Sequence, residues 1–179
     1  MGALKIDFLP SYTYEEYKEW EGKWEIINGV AYAMSPAPMI KHQKISNKIA
    51  WVLQDILKDC EFCQALLPID WKIDEHTVVQ PDNLVICHIP QNEAYIQQAP
   101  EIIFEVLSKS TASKDINLKH KIYEKEGVTY YITVNPDGEV AKIYHLKEGR
   151  YIKVCDTHDA SVKFELEKCS IDFDFSKIW

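Results

Sequence analysis

Ile102-Ile103-Phe104-Glu105-Val106-Leu107-Ser108 is an apolar run with one charge inside it, and Pro81-Asp82 opens a second run, Asn83-Leu84-Val85-Ile86-Cys87. Runs this short and this apolar read as strands covered on both faces, the interior of a sheet. An ionised carboxylate in such a strand costs several kcal/mol unless a cation or hydrogen bonds compensate it, so Glu105 predicts a partner. The simplest partner is a divalent metal ion shared with Asp82, because hard cations such as Mg2+ take carboxylate oxygens and keep positions open for water.

Outward from these two strands the chain alternates between helical and extended patterns. Thr13 to Trp20 reads as a short capped helix with acids in its first turn. Trp24–Ile27 and Val30–Met34 read as a hairpin about Asn28-Gly29, and Ser35-Pro36-Ala37-Pro38 breaks the chain. From Ile40 to Leu57, apolar residues at Ile45, Ile49, Val52, Leu53 and Ile56 give an amphipathic helix with Lys41, Lys44 and Lys48 on its other side. Phe62 to Lys72 reads as one strand, with 74–80 and 89–100 as loops. Ser113 to Glu126 predicts a helix ended by Gly127, then Tyr130–Val134 an interior strand stopped by Asn135-Pro136-Asp137-Gly138. Val140–His145 and Tyr151–Val154 form a last hairpin with one wet face. This order predicts an α/β (α+β) fold: a mixed central sheet flanked by helices, preceded by a helix and β-hairpin and followed by an antiparallel hairpin. A length of 179 residues suits a single domain, 1–179.

Twenty-eight acids against twenty Lys and Arg give a net charge of −8, which counts against a protein that coats nucleic acid or membrane through its overall field. Two segments run against that balance: residues 41–58, with four lysines against Asp55, and residues 109–125, with five lysines against Asp115 and Glu124. No stretch has the length of a membrane span or the pattern of a secretory signal, so a cytoplasmic protein without membrane partners is expected. Free thiols are expected of the five cysteines. Cys60-Glu61-Phe62-Cys63 is a CxxC, but no second CxxC or close histidine pair accompanies it, so zinc and redox chemistry are not expected there.

Several motifs stand together in register: Glu25-Ile26-Ile27-Asn28-Gly29, Met34-Ser35-Pro36, His42, Pro81-Asp82, Glu105-Val106-Leu107-Ser108, Ser110-Thr111, Asp115, Lys119, Tyr123, Gly127-Val128 and Tyr130-Tyr131-Ile132. In these the chain resembles the Uma2 family, formerly a domain of unknown function, within the PD-(D/E)xK superfamily of nucleases. The resemblance covers about residues 13–146 and implies a restriction-endonuclease-like core. It implies a DNA endonuclease, with Asp82 and Glu105 binding Mg2+ or Mn2+ and no organic cofactor. The superfamily's lysine two places after the second carboxylate is here Leu107, a departure that removes a cation from the strand. The family is thought to supply it from the following helix, where Lys119 is the matching position. Lys119 lies four residues from both Asp115 and Tyr123, hence on one face with them, whereas Lys121 lies on another face and is the second choice. His42, Asp115, Tyr123, Lys121 and Glu25 are candidates for contacts behind the metal pair or to phosphate. A homodimer is the expected assembly.

Each candidate also has a plainer reading. Asp82 follows a proline as many turn aspartates do, Lys119 would pair with Asp115 on a helix surface, His42 would serve as a polar helix start, and Glu25 would make a structural bond in an edge hairpin. Asp70 alternates with Ile69 and Trp71 and is read as solvated. The rival function is a nuclease fold that binds nucleic acid or a protein without cutting.

Overall fold

The computed structural model describes residues 10–34, 39–108 and 115–179, without the side chains of residues 115 and 116. Its elements in chain order are α1 (Tyr14–Tyr17), β1 (Trp24–Ile27), β2 (Val30–Ala33), α2 (Ile40–Leu57), β3 (Gln64–Leu66), β4 (Asp70–Asp74), β5 (Thr77–Val79), β6 (Asn83–Ile86), β7 (Tyr95–Ile96) and β8 (Ile102–Val106). A π-helical turn (Asp115–Lys119) then leads into α3 (His120–Glu126), followed by β9 (Tyr130–Asn135), β10 (Val140–Lys147), β11 (Arg150–Thr157), β12 (Ser161–Glu165) and β13 (Ser170–Asp174).

Local chemistry accounts for the boundaries. The Glu16 carboxylate accepts from the Thr13 backbone N–H at 2.8 Å and its hydroxyl at 2.9 Å, closing the start of α1. Asn28 and Gly29 both have positive φ, 51° and 78°, as the tight turn between β1 and β2 requires. Gly127, at φ 88°, ends α3, and the N–H groups of Gly127 and Val128 both return to the Tyr123 carbonyl.

The single strand expected over 62–72 is two strands in two sheets. Pro68 lies between them, has no N–H to donate and breaks the pairing. β5 and β7 lie in the segments read as loops, and β12 and β13 go beyond the predicted elements; three- and two-residue strands such as β5 and β7 are too short to carry a periodic signal. Six strands form the central sheet in the order β11-β10-β9-β8-β6-β3, with β8 and β9 parallel and the other neighbours antiparallel. A second sheet runs β2-β1-β5-β4-β7, so β1 is an interior strand rather than an edge.

Alternation along β8 sends successive side chains to different cores. Ile102, Phe104 and Val106 join α2, through Ile45, Ile49, Val52, Leu53 and Leu57, and the β12–β13 hairpin, through Phe164 and Phe173. Truncating one of these, as in Leu53→Ala, costs about 2–5 kcal/mol. Ile103 points the other way, toward Trp71 and Val79 of the second sheet and Tyr123 of α3. Glu105 shares that second face.

The expectation of free thiols is corrected by two disulfides, Cys60–Cys169 and Cys63–Cys87, closed across sequence separations of 109 and 24 residues that only the fold brings together. Cys155 is a free thiol. Among the described residues no helix is long and apolar enough to cross a membrane.

Candidate active site

Asn83 pairs with Phe104 across β6 and β8, and one step further along the ladder puts Asp82 level with Glu105. The two carboxylates therefore start from neighbouring strands on the same side of the sheet, where directly opposed residues have Cβ atoms about 5 Å apart. Asp82 Oδ2 accepts from the Val106 N–H at 2.8 Å and lies 3.2 Å from His42 Nε2, in the first turn of α2. This fixes the carboxylate over the end of β8. The Asp82 side chain keeps 18% of its surface exposed, whereas that of Glu105 keeps 3%, so the site opens to water on the Asp82 side.

Glu105 has its partner. Lys119 Nζ is 2.9 Å from Glu105 Oε1, and the Tyr123 hydroxyl donates to the same oxygen at 2.7 Å. Burial, with the neighbouring Glu105 charge next in weight, holds the Tyr123 hydroxyl well above its ordinary pKa, so it remains a donor. Its ring is clamped by Trp71 at 5.8 Å and Tyr131 at 5.3 Å between centroids, which fixes the direction of that bond. The π-helical turn ends at Lys119 and α3 begins with the next residue, so Lys119 and Tyr123 stand one α-turn apart and converge on one oxygen.

A second carboxylate meets the same ammonium. Glu25 is fully buried in β1, its Oε1 is 2.8 Å from Lys119 Nζ, and the same oxygen accepts from the Gln80 N–H at 2.9 Å. The edge-hairpin reading of Glu25 is therefore corrected: β5 covers β1, and the strand delivers its glutamate into the site. Lys119 is equally far from a surface lysine, being 2% exposed. Lys121 is exposed on another face of α3. The side chain of Asp115, along with Ser35-Pro36 and Ser110-Thr111, lies outside the described residues. Asp70 is half-buried rather than on a solvated face; it accepts from the Tyr17 hydroxyl at 2.9 Å and the Gln80 side chain at 2.6 Å.

Gln80 was not among the sequence candidates, yet its N–H holds Glu25 and its carbonyl lies 3.5 Å from Lys119 Nζ. The signal for it is the following Pro81, which biases the preceding residue toward extended backbone and so aims both groups sideways. Asn83 was likewise not singled out; it ties β6 to α2 through the Ser46 hydroxyl at 2.9 Å and carbonyl at 3.2 Å.

Among the described residues, Asp82, Glu105 and Glu25 set three carboxylates against the ammonium of Lys119, an excess of negative charge when His42 is neutral. An all-oxygen donor set with that residual charge and an exposed rim fits a hard divalent cation such as Mg2+ or Mn2+ rather than a soft one. Beside the site, on the same sheet face, a cleft is lined by Leu107, His120, Tyr131, Thr133, Lys142 and Tyr144; Thr133 is the cross-strand partner of Glu105.

The profile of the Uma2 family, described as "Putative restriction endonuclease", matches residues 14–167. Among solved structures, a "putative nuclease belonging to DUF820" from Anabaena variabilis superposes with a TM-score of 0.76 at 20% identity, covering 93% of this chain and 96% of that one. No curated protein matches.

Proposed function

This chain belongs to the Uma2 family and has a restriction-endonuclease-like fold, and from that premise we propose that it is an endonuclease that uses Mg2+ or Mn2+ to hydrolyse DNA phosphodiester bonds. The observation that carries this reading is the level placement of Asp82 and Glu105 on antiparallel neighbours, with a buried lysine from the following helix 2.9 Å from the second carboxylate. Asp82 and Glu105 hold the metal, which when bound supplies Lewis-acid polarisation of the phosphate and a water of lowered pKa.

The protein's own groups do the rest. Lys119 balances the buried carboxylates, and from behind Glu105 its charge offsets, without direct contact, the negative charge that develops on phosphate oxygens. Tyr123 fixes Glu105 by donating to it, Glu25 with the Gln80 N–H fixes Lys119, and His42 with the Val106 N–H orients Asp82. Lys41 and Lys44 are exposed in the first turns of α2, the end of the helix that carries His42, and attract the nucleic-acid backbone without reading its sequence. A homodimer belongs to the same proposal: β11 is the open edge of the central sheet and carries exposed Ile152 and Val154. Sedimentation at the mass of one chain would count against that assembly.

Purified protein is expected to nick supercoiled plasmid DNA with Mg2+ or Mn2+, and Glu105→Gln or Asp82→Asn to remove the activity while circular dichroism stays unchanged. A second reading, a nuclease fold that binds without cutting, is favoured by one fact: Lys119 already compensates Glu105 without a metal. No divalent-ion binding by calorimetry, together with no nicking by wild type, would select it.

A further inference from the structure

Past the far end of α2 the chain collects four sulfurs from three separate places. Cys60 and Cys63 occupy one tight turn, closed by the Cys63 N–H donating to the Cys60 carbonyl at 3.2 Å. Cys87 follows the last residue of β6, and Cys169 precedes β13. The sulfurs of Cys60, Cys63 and Cys169 lie within 4.8 Å of one another, and Cys87 is bonded to Cys63. The CxxC lacked a partner pair in the sequence; the fold supplies one from residues 24 and 106 positions beyond Cys63.

We propose that Cys60, Cys63, Cys87 and Cys169, when reduced, form a four-thiolate site for Zn2+. A tetrahedral site with zinc–sulfur bonds of about 2.3 Å has sulfur–sulfur edges of about 3.8 Å. The Cys63 and Cys169 sulfurs, which are not bonded to each other, already stand 3.9 Å apart. Opening the two disulfides frees the other sulfurs to spread toward the same spacing by side-chain rotation, and Cys87, which stands outside the group of three within 4.8 Å of one another, turns in toward Cys60 and Cys169. Four soft thiolates in a tetrahedron select zinc over the hard cations suited to the carboxylate pocket. Cys60, Cys63 and Cys87 are buried, which keeps water from the bonds, while the half-buried Cys169 leaves a path for entry. The Lys168 ammonium, 4.4 Å from the centre of the Phe62 ring, places a positive charge beside a site whose net charge would be negative.

The chemistry balances with a phosphine reductant. Two phosphine molecules and two waters convert the two protein disulfides to four thiols, each phosphine leaving as its oxide, and Zn2+ then displaces four protons to leave a unit of charge −2. The site is structural. It fastens the turn after α2, the end of β6 and the β12–β13 hairpin to one ion, and the part of α2 that follows His42, residues 43–57, separates the two by about 23 Å.

The test is metal analysis of the full chain purified throughout with a non-chelating phosphine reductant. About one zinc per chain is expected, with four thiols shielded from a thiol reagent until a chelator is added. Co2+ in place of zinc should give the intense absorption of tetrahedral thiolate coordination. Zinc should persist in Glu105→Gln and be lost in Cys87→Ser; where that variant fails to fold, the cobalt spectrum of wild type decides. Reduced protein with no zinc and four freely reacting thiols, an iron–sulfur spectrum in place of zinc, or zinc that leaves in Glu105→Gln would each overturn the proposal.

Discussion

The first turn of α2 sets His42 against Asp82, beside a pocket of carboxylates and the Lys119 ammonium; beyond its last turn the chain meets four sulfurs. One helix thus separates two regions that solve different problems. The carboxylate pocket gathers like charges into the interior and, among the described residues, holds them with Lys119, which costs stability and leaves a negative surplus useful for binding a cation. The sulfur cluster joins segments far apart in sequence. Charge concentration marks the end where chemistry is expected, and cross-linking marks the end where the fold is secured.

The comparison breaks most visibly in cleavage rate. Glu105→Gln is expected to lower plasmid nicking by at least about a hundredfold, the scale on which losing one preorganised charge acts. Change at the sulfur end should leave the rate of folded protein nearly untouched, and equal losses at both ends would dissolve the distinction. Next in size, Lys119→Met leaves Glu25 and Glu105 buried without their shared cation and is expected to cost about 3–5 kcal/mol of stability in urea titrations. Replacing Lys119, Glu25 and Glu105 together by apolar residues should recover much of that loss, since the penalty lies in burying the two carboxylates without the lysine. A smaller effect is expected of Tyr123→Phe, which removes one hydrogen bond to a charged group, worth about 1.5–3 kcal/mol, and frees Glu105 to reorient. Nicking measured at several Mg2+ concentrations should show weaker metal dependence on the correct geometry, as a raised half-saturation point.

The smallest expected effect is on pH. Burial among Tyr131, Tyr144 and Tyr151 lowers the His120 pKa below its ordinary value, outweighing the nearby Glu124 charge. The unfolded chain then takes up the proton more readily than the folded one. The stability His120 contributes is full above about pH 6.5 and is lost as pH falls through its lower folded value. His120→Phe should flatten that part of the Tm profile, and an unchanged slope would remove His120 as its cause.

What could be read in the sequence follows the same division. Glu105 announced itself because one charge in an apolar strand is a local contradiction, and Asp82 because a proline-led strand start stood close by. The amphipathic spacing of α2 and the Asn28-Gly29 turn are equally local, and both elements form where the pattern places them. Glu25 was harder to read. Its hairpin was recognisable, but only the three-residue β5 makes β1 an interior strand and turns a bland glutamate into a buried one. The sulfur cluster was illegible for the same reason on a larger scale, since Cys60 and Cys169 are 109 positions apart and nothing between them signals that they meet. Lys119 lay between these cases: its helix was predicted from spacing, while its burial depended on the second sheet closing over it.

The central claim, that Asp82 and Glu105 hold a divalent cation, is tested most directly by anomalous diffraction from a crystal soaked in Mn2+. The account predicts a manganese peak within bonding distance of both carboxylates, weakened in Glu105→Gln. A crystal that shows no manganese there, at concentrations that support nicking in solution, would contradict it.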